Sequence, residues 1–328
     1  MRRASANYRL CGLTLQSSLV LPCPLAGSRA RPDVRLRAGS AADFARPRKE
    51  AGAAGHVRDW FHSRRLADGN TYLRWTGLFE FLISPDGRQI RYRRLQHASR
   101  ESFSVYLLGQ VLSFSLVAFG IEPLHGTVVV VDGEAIAFLG DCGYGKSTLG
   151  AALLARGFPV LTDDLIVLEK RGAGWAVHPG IPRLKLFPSV ARRLFGPSLE
   201  GTLMIRGTSK LVLPLSAGQT VRRLVPLRAL YVLSEPGPRG SRRPARVRFE
   251  RLSGREAFLE VIRAAFNLLV VERGRLAAQF AFAARVVATV PVRRLTYPRR
   301  LSSLPAVCDI LLADLAGGVG RTEVRPYG

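Results

Sequence analysis

Gly140 to Ser147 read Gly-Asp-Cys-Gly-Tyr-Gly-Lys-Ser, which satisfies the spacing G-x-x-x-x-G-K-[ST]. The glycines of such a run let the backbone curl so that its N–H groups face a phosphate. The Lys146 ammonium would reach the outer phosphates and the Ser147 hydroxyl would ligate Mg²⁺. Asp141, Cys142, Gly143, Tyr144 and Gly145 complete the loop, and Thr148 follows it. Downstream, Asp163 and Asp164 stand side by side in the apolar run VLTDDLIV. A carboxylate in such surroundings is costly unless a metal or another cation neutralises it. Neighbours on a strand point to opposite faces, so the pair is expected to divide its work. One carboxylate would turn towards Mg²⁺ and the other would accept a proton from an acceptor hydroxyl. As a structural alternative, the pair starts a helix or a turn.

For this chemistry the loop must lie between a strand and a helix. TVVVV and AIAFLG read as two apolar strands joined by a turn at Asp132-Gly133, and a helix is predicted from about Lys146 to Arg156, ending at Gly157. FPVLTDDLIVLE reads as one or two buried strands and GWAVHPG as another. SKLVLPL and LRALYVLS are further strands, and GREAFLEVIRAAF and LPAVCDILLADL are helices. The first hundred residues are mostly β: YRLCGLTLQ and DVRLRAG alternate, TYLRWTG is another strand, and Ser84-Pro85-Asp86-Gly87 turns between two more. The Ala/Arg/Gly/Pro-rich piece Ala26–Gly55 reads as loops, and a helix is predicted from Ser99 to Phe119, stopped by Gly120. The expected fold class is α/β in two parts: a smaller β-rich N-terminal region, residues 1–98, and a phosphate-loop catalytic domain, residues 99–328.

The chain has 328 residues, 47% hydrophobic and 22% charged, a globular composition. Its net charge of +25 comes almost wholly from arginine; lysine occurs only at 49, 146, 170, 185 and 210. The arginines are scattered and no basic run is interleaved with aromatics, so no nucleic-acid platform is expected. PGPRGSRRPARVR, Pro236–Arg248, reads as a solvated loop. The four cysteines, at 11, 23, 142 and 308, show no CxxC, and no His stands at zinc-ligand spacing, so reduced thiols in the cytoplasm are expected. The N-terminal stretch reads as a strand and not as a signal peptide. VYLLGQVLSFSLVAFG, interrupted by Gln110 and two serines, reads as a buried helix and not as a membrane span.

The phosphate loop, RGFPVLTDD after it and PLHG before it resemble bacterial HPr kinase/phosphorylase, and more closely the HPr-kinase-related proteins of peptide-modification clusters, lasso-peptide precursor kinases among them. YRLCGLTLQSSLVLP, FLISPDGRQI, YLLGQVLSF, PGIPRLKLFP and VPVRRLTYPRRLSSLP extend the resemblance over most of the chain. It implies a kinase fold related to phosphoenolpyruvate carboxykinase and ATP-dependent transfer to a serine hydroxyl of a peptide or small protein, with ATP and Mg²⁺ as cofactors. Gly140 through Thr148 would cradle the phosphates. Asp163 would be the base, Asp164 its metal-side neighbour together with Ser147, and His125 a histidine close to the reacting phosphate. From residues alone, a single His before a strand reads as a structural hydrogen-bonder. His178 would line the site with polar atoms, and Arg183 and Lys185 would lie near phosphate or on a solvated edge. WAVHPGIPRLKL departs from the family in carrying no carboxylate where HPr kinases have an acidic residue. The resemblance also implies a homo-oligomer, and the positive charge favours an acidic acceptor. Neither nucleic acid nor membrane is an expected partner. The competing readings are a catalytically silent nucleotide-binding scaffold or sensor and a phosphate-loop ATPase.

Overall fold

The computed structural model describes residues 4–27, 29–52, 60–96, 98–197, 201–204, 208–236 and 246–317. The chain divides into two compact units. The first comprises Met1–Pro123, Leu203–Thr208 and Phe266–Ala278; the second comprises Leu124–Thr202, Ser209–Ala265 and Gln279–Gly328. The helical stretch that the sequence reading places in the catalytic domain therefore groups with the N-terminal strands.

In the first unit, β1 (Ala6–Leu10), β2 (Leu13–Ser17), β3 (Val34–Ala38), β4 (Phe61–Arg65), β5 (Thr71–Trp75), β6 (Phe79–Ile83) and β7 (Gln89–Arg94) form a seven-stranded sheet in the order β1-β2-β3-β7-β6-β5-β4. The N-terminal stretch is a hairpin, turned at Cys11 and Gly12, which both have positive φ. The Ala26–Gly55 piece, expected as loops, contains both β3 and helix α1 (Ala45–Gly52). The fully buried Phe44 anchors the start of that helix against Leu66 and Tyr72. Residues 28 and 53–55 of that piece lie outside the described residues. The predicted helix appears as α2 (Arg100–Tyr106) and α3 (Leu112–Ala118), joined by a π turn over Leu107–Val111. Ser99 caps it by accepting a hydrogen bond from the Ser102 N–H at 3.0 Å. Arg100–Ala118 is long and apolar enough to cross a membrane by length and composition. Here it is mostly buried, with Phe103 stacked on Phe81 at 5.5 Å.

In the second unit, β8 (Leu124–Val131) and β9 (Glu134–Leu139) make the hairpin predicted at Asp132-Gly133. Helix α4 (Lys146–Leu154) follows the phosphate loop. Next come β10 (Val160–Ile166), β11 (Leu168–Arg171), β12 (Gly174–Val177), β13 (Arg183–Leu186), α5 (Pro188–Phe195), a two-residue β14 (Thr202–Leu203), β15 (Leu211–Pro214) and β16 (Val225–Leu233). β17 (Arg248–Arg251), α6 (Gly254–Arg263), α7 (Arg273–Val287), β18 (Val292–Thr296) and α8 (Leu304–Leu315) complete the chain. The basic stretch Pro236–Arg248 lies mostly outside the described residues.

The large sheet runs β10-β8-β9-β16, with β9, β16 and β18 parallel and β8 antiparallel to both its neighbours. Helices cover both faces. Val129, Val131, Ile136 and Phe138 pack against α4, α5 and α8 on one side, and Val128, Val130, Ala135 and Ala137 pack against α6 and α7 on the other. Two covered faces explain why β8 and β9 read as unbroken apolar runs. Gly150 lets α4 approach β8 closely, since a Cβ there would meet Thr127 Cγ2 at 2.6 Å.

Candidate active site

The phosphate loop leaves the end of β9 and enters α4 at Lys146. Gly140, Gly143 and Gly145 have φ of +135°, +89° and +89°, conformations that side-chain-bearing residues rarely adopt. Asp141, Cys142 and Gly143 are exposed, while Tyr144, Ser147 and Thr148 are half-buried. Arg299 fixes the loop from outside. Its guanidinium donates to the carbonyl oxygens of Tyr144 and Ser234 and to the Tyr297 hydroxyl, and it lies over the Tyr297 ring at 4.2 Å. Lys146 is buried and folds onto the loop, donating to the Gly140 and Asp141 carbonyls at 2.6 and 2.9 Å. Burial, reinforced by the charge of Lys210 and opposed by Asp163, pulls its ammonium down to about 8.

Asp163 on β10 is 3% exposed and accepts three hydrogen bonds. Oδ1 takes the Thr127 hydroxyl at 2.7 Å and the Ser147 hydroxyl at 2.8 Å, and Oδ2 takes the Lys185 backbone N–H at 3.0 Å. Asp164 departs from strand alternation. Its φ is +88°, and its carboxylate pairs with the Lys185 ammonium. The two carboxylates therefore meet at a single residue of β13 and do not diverge to opposite faces. The sequence reading gives the metal side to Asp164, but the carboxylate that touches the phosphate-loop serine is that of Asp163.

His125, the second residue of β8, lies beside Asp164, its Nδ1 3.2 Å from the Asp164 carbonyl oxygen. As donor to that carbonyl, Nδ1 carries the proton of a neutral ring. Burial and the ammonium groups of Lys146, Lys185 and Lys210 pull the imidazole down to about 3. The unfolded chain binds a proton near 6.5 that the folded chain refuses, so stability falls as pH drops from about 6.5 towards 3. In denaturant titrations between pH 6.5 and 4, His125→Gln should lose part of the acid-side decline. An unchanged decline would show that another group causes it.

Sequence reasoning missed Thr127, Lys210, Tyr297 and Arg299, whose contacts arise only on folding. Lys146, Lys185 and Lys210, three of the chain's five lysines, all act on the His125 imidazole. His178 is not part of this group; its Nε2 pairs with Glu169 at 2.7 Å across the β11–β12 hairpin. Arg183 is 3% exposed on β13. Behind the loop, at the carboxyl ends of β9 and β16, lies a cavity of about 300 Å³ bordered by Gly140, Asp141, Tyr144, Ser234, Glu235 and Glu260.

The residues fit a nucleotide and Mg²⁺. Glycine conformations shape the cradle, a buried ammonium stands over it, and a hydroxyl already bonded to a carboxylate offers the metal two oxygens. Among the described residues no group of three His, Cys, Asp or Glu side chains is gathered as a metal cage. Mg²⁺ commonly binds through one or two carboxylates plus substrate phosphates and water.

No protein-family model matches the chain. Among curated proteins it is similar to HPr kinase/phosphorylase from Lachnoclostridium phytofermentans, 43% identical over 47 residues, or 14% of this chain and 15% of that protein. It is also similar to those from Prosthecochloris aestuarii, 28% identical over 26% of this chain and 24% of that one, and Burkholderia lata, 29% identical over 34% and 30%. The chain thus spans less than a third of the length of these relatives. Among solved structures it is similar to the HPr(Ser) kinase/phosphatase from Coxiella burnetii, with a TM-score of 0.32 and 16% identity over 60% of this chain and 99% of that one. Over these short segments the chain is similar to HPr kinase/phosphorylase.

Proposed function

We propose that the chain is a cytoplasmic ATP-dependent kinase that transfers the γ-phosphoryl group to a serine hydroxyl of a peptide or small protein. The observation that carries this reading is the bond from Ser147 to Asp163. A phosphate-loop hydroxyl and an aspartate from another strand of the same sheet are the kind of pair that holds Mg²⁺ in phosphate-loop enzymes. The resemblance to peptide-modification kinases supplies the acceptor class, and the +25 charge favours an acidic acceptor segment.

In this reading the loop backbone from Gly140 to Thr148 and the Lys146 ammonium bind the phosphates. Mg²⁺ held there would neutralise charge that develops on the transferring group. Ser147 and Asp163 hold the metal side, which reverses the division expected from sequence. Asp164, less deeply buried and placed beside neutral His125, accepts the serine proton. Lys185 holds the Asp164 carboxylate in place, and Arg299 keeps the loop closed.

Single-turnover ATP consumption, with and without serine-containing acceptor peptides, tests the function. Phosphoserine on the peptide is expected. ATP loss to water alone would indicate an ATPase, and tight ATP binding without turnover a scaffold or sensor. Asp163→Asn should raise the Mg²⁺ concentration needed for half-maximal transfer by at least about tenfold, because a hard cation loses an anionic partner. It should also cost about 1–3 kcal/mol of stability, since an amide cannot accept all three hydrogen bonds now made. An unchanged Mg²⁺ requirement would remove Asp163 from the metal side.

A further inference from the structure

Two adjacent carboxylates beside a polyphosphate concentrate negative charge, and a metalloenzyme usually offsets such charge with divalent ions. Here a side chain from β13 already meets that need. Lys185 is 12% exposed and bridges the pair, with its backbone N–H on Asp163 Oδ2 at 3.0 Å and its ammonium on Asp164 Oδ2. The left-handed backbone at Asp164, φ +88°, brings both carboxylates to one residue, although strand alternation would separate them. The segment that supplies Lys185, from Trp175 to Leu186, contains no carboxylate. The chain uses only five lysines among 49 basic residues, so a lysine at this point is not a by-product of its arginine-rich composition.

We propose that the Lys185 ammonium occupies the place at Asp164 that a second divalent cation would otherwise take, leaving a single ion site at Ser147 and Asp163. The single-ion half rests on the functional reading above; the exclusion of a cation from Asp164 by Lys185 does not. An ammonium carries one charge and cannot accept a ligand, so Asp164 is held in place yet keeps an oxygen for an acceptor proton. A metal would instead compete for both oxygens.

Mn²⁺ binding to the ligand-free full-length protein, followed by the electron paramagnetic resonance signal of free Mn²⁺, tests the exclusion without nucleotide. Lys185→Met should bind Mn²⁺ at least tenfold more tightly than wild type, and the double variant Lys185→Met/Asp164→Asn should return to the wild-type value. With Lys185 intact, Asp164→Asn should leave Mn²⁺ affinity within about twofold. That arm keeps the test decisive should Lys185→Met fail to fold. Equal affinity for Lys185→Met and wild type would overturn the proposal, as would a tenfold loss in Asp164→Asn. A separate titration with a fluorescent ATP analogue reports on the nucleotide reading. Its failure would remove the kinase assignment while leaving the Mn²⁺ comparison to decide the role of Lys185.

Discussion

Lys146→Ala is expected to lower phosphoryl transfer by about 10³-fold or more, the lower end of the range for losing a cation on a transferring phosphoryl group. The fold should be unaffected. The variant loses the Lys146 bonds to the Gly140 and Asp141 carbonyls, but the loop keeps the positive-φ glycines at 140, 143 and 145 and the Arg299 contacts. Burial pulls the Lys146 ammonium down to about 8, so the folded state holds this charge at a cost that partly offsets the two lost carbonyl bonds, and only a small change in melting temperature is expected. A folded Lys146→Ala protein that turns over at the wild-type rate would end the phosphate-loop assignment. Loss of activity together with loss of structure would be uninformative about catalysis, so circular dichroism and thermal melting accompany the rate measurement.

Asp164→Asn should lower transfer to serine by roughly 10²–10⁴-fold, the usual worth of a positioned base. Binding of ATP with Mg²⁺ should persist, because the carboxylate that touches the phosphate-loop serine is Asp163. Added Mg²⁺ should not rescue the variant, in contrast to Asp163→Asn. The pair of titrations therefore separates the two aspartates: rescue of Asp164→Asn by Mg²⁺ would return the metal side to Asp164. Asparagine keeps the shape of the side chain but leaves the Lys185 ammonium without its carboxylate. A modest fall in melting temperature is expected, with no loss of the loop.

The elements around the loop were legible because each carries a local signal. Apolar runs bounded by Asp132-Gly133 give the β8–β9 hairpin, and the Gly-Lys-Ser sequence before TLGAALL gives the start of α4. Helix α1 was not legible, since its sequence ARPRKEAG is polar with only Pro47 and Ala51 buried, and its position depends on Phe44 packing against Leu66 and Tyr72. The edge of the first compact unit was equally hidden. Nothing local tells whether a buried helix such as Arg100–Ala118 packs with the strands before it or after it.

The sequence by itself supplied the candidate groups: a glycine-rich loop with phosphate-loop spacing, a lysine and a hydroxyl within it, and two carboxylates in an apolar strand. Spacing settles this much because the loop residues are contiguous and their geometry is local. Only the tertiary structure decided which carboxylate meets Ser147, that Thr127 and the Lys185 N–H share it, that Lys185 bridges to Asp164, and that Arg299 holds the loop. Those contacts join β8, β10, β13 and the segment after β18, which are far apart in the chain. The rule of strand alternation failed at Asp164 for a related reason. A φ of +88° is disfavoured for an isolated aspartate, and it is sustained here by the Lys185 ammonium and by His125 at the Asp164 carbonyl.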